Sequence, residues 1–514
     1  MDDDLFSAEQ ANPHNARMPG CGSVARAVLL ATLPAALLLC SLVAPRPAGA
    51  TPPLEIGLRD PVYSSPLDPV RRLWLERTAG VGATTVGLTV PWRAVAPQPP
   101  GQGSDPRDPS NPAYRWGAVD AAVRDASANG FEILLIVTTA PYWAEGNDRP
   151  DLQTAPAGSW RPDPGAYGDF AHAVAVRYSG NFSVQPDAPD PGLLPGPTPP
   201  PAPSEPLPRV RYFQAWNEPN LSLYLNPQWE GTAAASPLHY RRMLNAFYAG
   251  VKAAEPGNQV LTAGTAPYGD PPQGRRMRPV RFWRDLLCLK GRTRLRGVAC
   301  EDPAHFDILA HHPINDGRPR EHARHPDDAS TFDLGRIKRV VRKAIKTARV
   351  VPAGPKPLWV TEFWWRSSPP DPSGVPVEAH ARWLEQALYL FWKQGVERAI
   401  WYQIRDPAQP GNPLFTAATG LFLDDVEPKP AYQALRFPFV TERRNTRRVR
   451  AWGRSPESGQ LLVQRQASSG GWKSLKAIEV TAGAVFTASL RLRGDEDLRA
   501  LLPSGEASLS WHQR

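Results

Sequence analysis

The sequence predicts an α/β protein, a (β/α)8 TIM barrel followed by a small C-terminal β-rich, sandwich-like domain. Three observations predict it. From residue 54 to about 439, short apolar runs alternate with amphipathic segments, and eight such units can be counted. Two of the runs, RYFQAWNEPN (211–220) and KPLWVTEFWW (356–365), end in an isolated carboxylic acid, and barrel strands present such groups at their C-terminal ends. Beyond Val440 the pattern changes to short alternating runs, 460–464, 477–480 and 484–492, broken by SSGG and TAGA turns.

The expected barrel strands are 54–58, 85–90, 132–138, 210–216, 259–264, 306–311, 357–361 and 398–403. The apolar residues before each acid (Val210, Tyr212, Phe213, Ala215; Leu358, Trp359, Val360) fit parallel strands covered on both faces. Helical stripes stand between them. Ser236 is positioned to cap a helix with Pro237 in its first turn and Tyr240, Leu244, Phe247, Tyr248 and Val251 on one face. Leu334, Ile337, Val341, Ala344 and Ile345 form a second stripe, and Trp383, Leu384, Ala387, Leu388 and Phe391 a third, closed by Gly395. Between 185 and 208 nearly every second residue is proline, which reads as an extended surface insertion before the fourth strand. A second Pro/Gly-rich connection, 96–112, follows the second strand on the cleft side. The resulting organisation is a leader over 1–50, a barrel over 51–440 and a β-rich domain over 441–514.

The 514 residues include 60 prolines, which cluster in connections, and the net charge of +9 comes almost entirely from arginine. The basic residues are scattered except in ERRNTRRVR (442–450). No DNA- or RNA-binding module is present, so a nucleic-acid partner is not expected; attraction to anionic envelope polymers is the milder reading of this charge. The apolar run 27–44 follows Arg26 and precedes Ala48-Gly49-Ala50, matching a signal sequence. Asp2, Asp3 and Asp4 are unusual ahead of such a segment, so Met18 is an alternative start. Cleavage gives a secreted protein, and retention gives a membrane-anchored, envelope-associated one. The exported part keeps two cysteines, Cys288 and Cys300, from which one disulfide is expected.

Two carboxylic acids on different barrel strands provide what glycosidic cleavage needs: one carboxyl to protonate the departing oxygen, another to attack or stabilise the anomeric carbon. The candidates are Glu218 and Glu362. Acids also cap helices and form ion pairs at strand ends. Asn217 carries an amide to the same rim, with Trp92, Trp143, Trp364 and Trp401 at or near strand ends, where indoles can stack on sugar rings. A buried core position is the alternative for any one of these. In the β-rich domain, Trp452, Trp472 and Trp511 are further aromatic candidates for sugar contact, the other role of that domain being to shield the barrel. This chemistry requires no metal or organic cofactor.

The chain resembles the clan A glycoside hydrolases, nearest to families 39 and 5, over essentially the whole of 54–439. WNEPN (216–220) matches their fourth-strand motif, and TEFWW (361–365) matches T-E-F-G-W except that Trp364 replaces glycine. PWRAVAP (91–97), YRW (114–116), APYWA (140–144) and KPAY (429–432) extend the likeness. The resemblance implies Glu218 as general acid/base, Glu362 as nucleophile, Asn217 as a ligand of the sugar 2-hydroxyl, and His312 lining the same subsite. It implies a carbohydrate substrate and retention of configuration, with the carboxyl groups about 5–5.5 Å apart. There are two departures. Gly87 stands where related proteins carry an arginine, and Ile314 where they carry a tyrosine; both expected groups donate to the nucleophile. Arg93, Tyr402 and Arg405 are the candidate replacements. A catalytically impaired carbohydrate-binding barrel is the alternative these departures raise.

Overall fold

The computed structural model describes residues 53–184, 205–407, 418–423 and 427–514. The expectations for the leader and for most of the Pro-rich insertion fall outside the described residues. Thr51–Arg514 is one compact unit.

Eight parallel strands form the barrel: β1 (Glu55–Arg59), β2 (Thr85–Pro91), β3 (Glu132–Thr138), β4 (Tyr212–Ala215), β5 (Gln259–Leu261), β6 (Leu309–His311), β7 (Leu358–Phe363) and β8 (Val396–Tyr402). They pair in the order β6-β7-β8-β1-β2-β3-β4-β5. A parallel bridge between Leu261 and Ile308 closes the circle from β5 to β6. The outer layer contains helices α1 (Asp68–Gly80), α2 (Gly117–Ala128), α3 (Pro164–Arg177), α4 (Ser236–Ala254), α5 (Pro279–Leu286), α6 (Leu334–Lys346), α7 (Val377–Lys393) and α8 (Pro430–Arg436).

Alternation along the strands divides the apolar residues into two layers. Leu134, Ile136, Leu261, Ile308, Trp359 and Ile400 pack inside the barrel, while Ile133, Leu135, Val137, Phe213 and Val360 join the larger core between strands and helices. Full burial of each such side chain contributes about 1.5–3 kcal/mol. At the opposite end of the barrel from the strand C-termini, Arg398 lies over Trp359 (4.2 Å) and Tyr212 (5.2 Å) and pairs with Glu132. That end is filled, and the C-terminal mouth is left for polar groups.

The helical stripes fold as expected, with Leu244, Phe247, Val251, Ile337, Val341, Leu384, Leu388 and Phe391 buried. Ser236 differs from its expected role. It is the first helical residue, and its hydroxyl bonds Gln228 Oε1 at 3.1 Å instead of capping the helix. Cys288 and Cys300 are joined by a disulfide.

Beyond the barrel, strands β9 (Phe439–Asn445), β10 (Arg448–Arg454), β11 (Gly459–Gln466), β12 (Trp472–Val480), β13 (Val485–Arg491), β14 (Glu496–Leu501) and β15 (Trp511–Gln513) make two antiparallel sheets, ordered β9-β10-β13 and β12-β11-β14-β15. Phe439, Val449, Leu461, Val463, Leu498 and Ala500 fill the space between them. The basic run 442–450 spans the end of β9, the hairpin turn and the start of β10. This layer packs on α7: Trp452 is fully buried against Tyr389 (5.4 Å) and Trp392 (6.1 Å), and Phe439 N–H donates to Glu385 Oε1 at 3.2 Å. Trp452 is therefore a packing residue. Trp472 lies beneath the Arg499 guanidinium, and Trp511 beneath that of Arg382.

Burial pushes the Glu385 carboxyl up to about 8 from its ordinary 4.5. The folded state thus binds a proton that the unfolded chain releases, so the associated stability is full below about pH 4.5 and is lost as pH rises through about 8. Glu385→Gln keeps an acceptor for Phe439 and removes the titration. Its melting temperature is expected to fall less than that of the wild type between about pH 6 and 9, as read by thermal denaturation.

Candidate active site

The C-terminal ends of five strands bring one set of polar groups to the barrel mouth. Arg59 ends β1, Asn217 and Glu218 follow β4, His312 follows β6, Glu362 lies in β7 and Tyr402 ends β8. Beyond Ala215 the backbone leaves the strand abruptly, with positive φ at Trp216 (76°) and Glu218 (37°). For residues bearing a β-carbon, each such conformation costs about 1–3 kcal/mol and needs surrounding support. That support is present. Glu218 N–H donates to Gly264 O at 3.0 Å, Gln214 Nε2 to Trp216 O at 3.0 Å, and Trp216 Nε1 to Tyr224 O at 2.9 Å. Asn220, the last residue of WNEPN, ties this turn to the next loop by accepting from Ala266 N and donating to the carbonyls of Ala266 and Met277.

Glu362 accepts from Arg59 Nη1 through Oε2 and from Trp364 Nε1 through Oε1, both at 3.1 Å. The same Arg59 nitrogen donates to Asn217 Oδ1 at 3.2 Å. Glu218 has a different environment. Burial pushes its carboxyl up to about 7, against the opposing pull of Arg59, and its Oε1 lies 2.9 Å from His312 Nδ1. Burial also drives His312 down to about 4, with Glu362 raising and Arg59 lowering its affinity for a proton. The 2.9 Å contact has the geometry of an ion pair, yet these two shifts make it a hydrogen bond between neutral groups from about pH 4 to about pH 7. His312 Nε2 lies 3.1 Å from the Thr361 hydroxyl, so the imidazole connects Glu218 to the residue preceding Glu362. This ring fits because residue 264 is glycine: a β-carbon there would overlap it.

Two phenols face the same charges. Burial, then the charges of Glu218 and Glu362, hold the Tyr224 hydroxyl well above the usual phenol range. Burial and then Glu362 do the same for Tyr402. Both hydroxyls are therefore donors at neutral pH. Arg59, Tyr224 and Tyr402 open onto a cavity of about 610 Å³ that continues between Pro91, Val95 and Arg115. A second hollow, of about 530 Å³, is lined by Trp160, Ser222, Asn226, Trp229 and Arg275.

The predicted site residues divide into two groups. Asn217, Glu218, His312, Glu362, Trp364 and Tyr402 share the mouth. Trp92 and Trp401 do not present an open face: both are 0% exposed. Trp92 stacks on Phe170 (5.6 Å) and Trp401 meets Phe363 edge-on (5.0 Å) in the layer between strands and helices. Trp143 is half-buried, edge-on to Trp92 at 5.7 Å, with its indole N–H given to Ala96 O. Of the candidate partners expected for Glu362, Arg93 lies 3.7 Å from Glu145 and above the Tyr142 ring, and Arg405 lies over Trp74. The groups that hold Glu362 are instead Arg59, from β1, and Trp364, the residue that departs from T-E-F-G-W. The signal for Arg59 in the sequence is a cation closing the strand-like run LEIGL (54–58), as a carboxylic acid closes each of the other two runs.

No protein-family model and no curated protein matches the chain. Its fold is similar to solved structures of glycoside hydrolases. A family 39 glycoside hydrolase from Bacteroides cellulosilyticus WH2 is 15% identical, with 86% of this chain and 81% of that chain covered and a TM-score of 0.49. A family 39 β-xylosidase from Caulobacter crescentus is 14% identical, with 86% and 98% covered and a TM-score of 0.47. A GH5_18 protein from Streptomyces cattleya, solved with GlcNAc, is 18% identical, with 75% and 80% covered and a TM-score of 0.40. At these identities the likeness is one of fold.

Gly264→Ala forces the His312 ring away from Glu218. Overpacking of this kind is expected to destabilise the protein by about 1–3 kcal/mol, measured as a lower urea midpoint at unchanged m-value.

Proposed function

We propose that this protein is an exported, retaining glycoside hydrolase that cleaves β-linked O-glycosidic bonds of a poly- or oligosaccharide by double displacement. The observation that carries the reading is the contrast between two acids at one mouth. Glu218 is buried beside a neutral histidine and keeps its proton up to about pH 7, whereas Glu362 is paired with a guanidinium. Carboxyls whose surroundings separate their protonation are what an acid and a nucleophile require.

In the first displacement Glu362 attacks the anomeric carbon while Glu218 delivers its proton to the leaving oxygen; the glycosidic C–O bond breaks and a glycosyl ester forms. Glu218, now a carboxylate, takes a proton from water, and the water oxygen displaces Glu362, a second inversion that gives net retention. Asn217 is placed to donate to a hydroxyl of the sugar, since its Oδ1 is committed to Arg59. The impaired-binder alternative rested on the departures at Gly87 and Ile314; the two donors on Glu362 weigh against it. Export rests on the apolar run 27–44 within the leader over 1–50, and secretion or envelope attachment follows from the leader's cleavage or retention.

Incubation with activated 2-fluoro β-glycosides, read by intact and peptide mass, is expected to place one glycosyl adduct on Glu362; turnover without an adduct there counts against the mechanism. Glu218 must be protonated to act, so kcat/KM is expected to fall as pH rises through about 7. Glu218→Ala is expected to lose that alkaline limb and to lower kcat/KM, which reports the first displacement, by about 10²–10⁴-fold for substrates with poor leaving groups, and far less for activated aryl glycosides.

A further inference from the structure

Arg59 and Gly87 are direct ladder partners on β1 and β2. Their β-carbon positions therefore lie on the same face of the sheet. A β-carbon built on Gly87 would stand 3.3, 3.4 and 3.6 Å from Cβ, Cγ and Cδ of Arg59. The aliphatic stem of Arg59 thus runs across residue 87 at van der Waals distance along its length. Beyond that point the guanidinium reaches both Glu362 and Asn217 with one nitrogen. Any side chain larger than hydrogen at 87 has to share the space that carries the arginine into the mouth.

We propose that Arg59 and Gly87 form one positioning unit, in which the missing side chain on β2 lets the β1 arginine cross its neighbour and hold the β7 carboxylate and the β4 amide in a fixed relation. Arg59 is a positioning residue: it acts through Glu362 and Asn217. The assignment rests on the reading of Glu362 as nucleophile. It makes residues 59 and 87 interchangeable in principle, because either position, given an arginine while the other is glycine, directs a guanidinium to the same carboxylate.

The test uses the purified full chain and an aryl β-glycoside that the wild type hydrolyses. Arg59→Met is expected to lower kcat by about 10–100-fold, the loss of a charge-assisted hydrogen bond. Arg59→Lys is expected to recover only part, since an ammonium lacks the planar fork of the guanidinium. Gly87→Ala, which substitutes no residue that touches Glu362 or Asn217 but crowds the Arg59 stem, is expected to lower kcat several-fold with little change in KM. Arg59→Gly combined with Gly87→Arg is expected to exceed Arg59→Met by at least about tenfold. A readout indifferent to mere packing accompanies these. Arg59 opposes the raised proton affinity of Glu218, so the alkaline limb of kcat/KM is expected to move to higher pH in Arg59→Met.

Wild-type kcat in Gly87→Ala, or an exchanged pair no better than Arg59→Met with the alkaline limb unmoved, overturns the proposal. If Arg59→Met does not fold, Gly87→Ala and the exchanged pair decide it. Full activity in the Arg59 variants alongside an inactive Glu362→Gln sinks the positioning unit alone. A wild type that hydrolyses no glycoside removes the reading of Glu362, and this inference with it.

Discussion

The mouth depends on one partly buried cation. The Arg59 guanidinium links β1 to the residues that follow β4 and to β7, strands that sequence separates by more than a hundred residues. Its side chain and that of Glu362 are each 14% exposed, so their attraction is screened less than that of a surface pair. The residue after it fixes its backbone. Asp60 accepts from Val62 N at 2.7 Å and Ile404 N at 2.8 Å, clamping the end of β1 to the end of β8. Burial pushes that carboxyl up to about 6, and the backbone donors around it offset part of the cost. The arginine is held by its backbone through Asp60, along its stem by β2, and at its head by two acceptors.

Packing explains why this polar concentration stands at one end only. The interior from Leu134 to Ile400 is filled by large apolar side chains, and Arg398 covers the far end over Trp359 and Tyr212. Arg398 stacks there and pairs with Glu132, away from the acids. At the mouth the strands give way to turns, and the strained φ values of Trp216 and Glu218 are balanced by hydrogen bonds from neighbouring loops. An acid on such a turn keeps a narrower set of orientations than one on a flexible loop, which suits the role proposed for Glu218, of meeting one atom with its proton.

The barrel was legible because its strands carry their periodicity openly, and strand β3 has the boundaries that its apolar run 132–138 sets out. The acids stood out because each is a lone charge closing an apolar strand-like run, a position that helix caps and ion pairs also use. Arg59 was missed for a small reason: the expected strand stopped at Leu58, one residue short, so the cation read as part of the following loop. Trp92 and Trp401 were misplaced for a directional one. Successive strand residues point to opposite faces, and in β8 that sends Trp401 into the helix layer while Tyr402 faces the mouth. Tyr224 lies in the loop after β4, where no period applies; its carbonyl accepts from the Trp216 indole N–H, and its hydroxyl faces the charges of the acids. Gly87 shows the limit most sharply. Read alone, it is the loss of an arginine; its meaning lies in a neighbour across the ladder that sequence spacing does not reveal.

The histidine between the acids constrains the direction of the proton. If Glu218 is to hold its proton toward the leaving oxygen, its other oxygen, Oε1, has to accept, so His312 carries hydrogen on Nδ1. Nε2 is then the acceptor, and the Thr361 hydroxyl must donate to it. Burial keeps the ring neutral down to about pH 4, so this single tautomer can persist through the proposed cycle without the ring gaining charge. When Glu218 loses its proton, the Nδ1–H bond is already aimed at the new carboxylate and strengthens without reorientation. The same ring as an imidazolium would stabilise the carboxylate too early and leave Glu218 a weaker competitor for its proton. The low proton affinity of His312 and the high one of Glu218 are thus two results of one burial, and Gly264 leaves the room that the buried ring occupies.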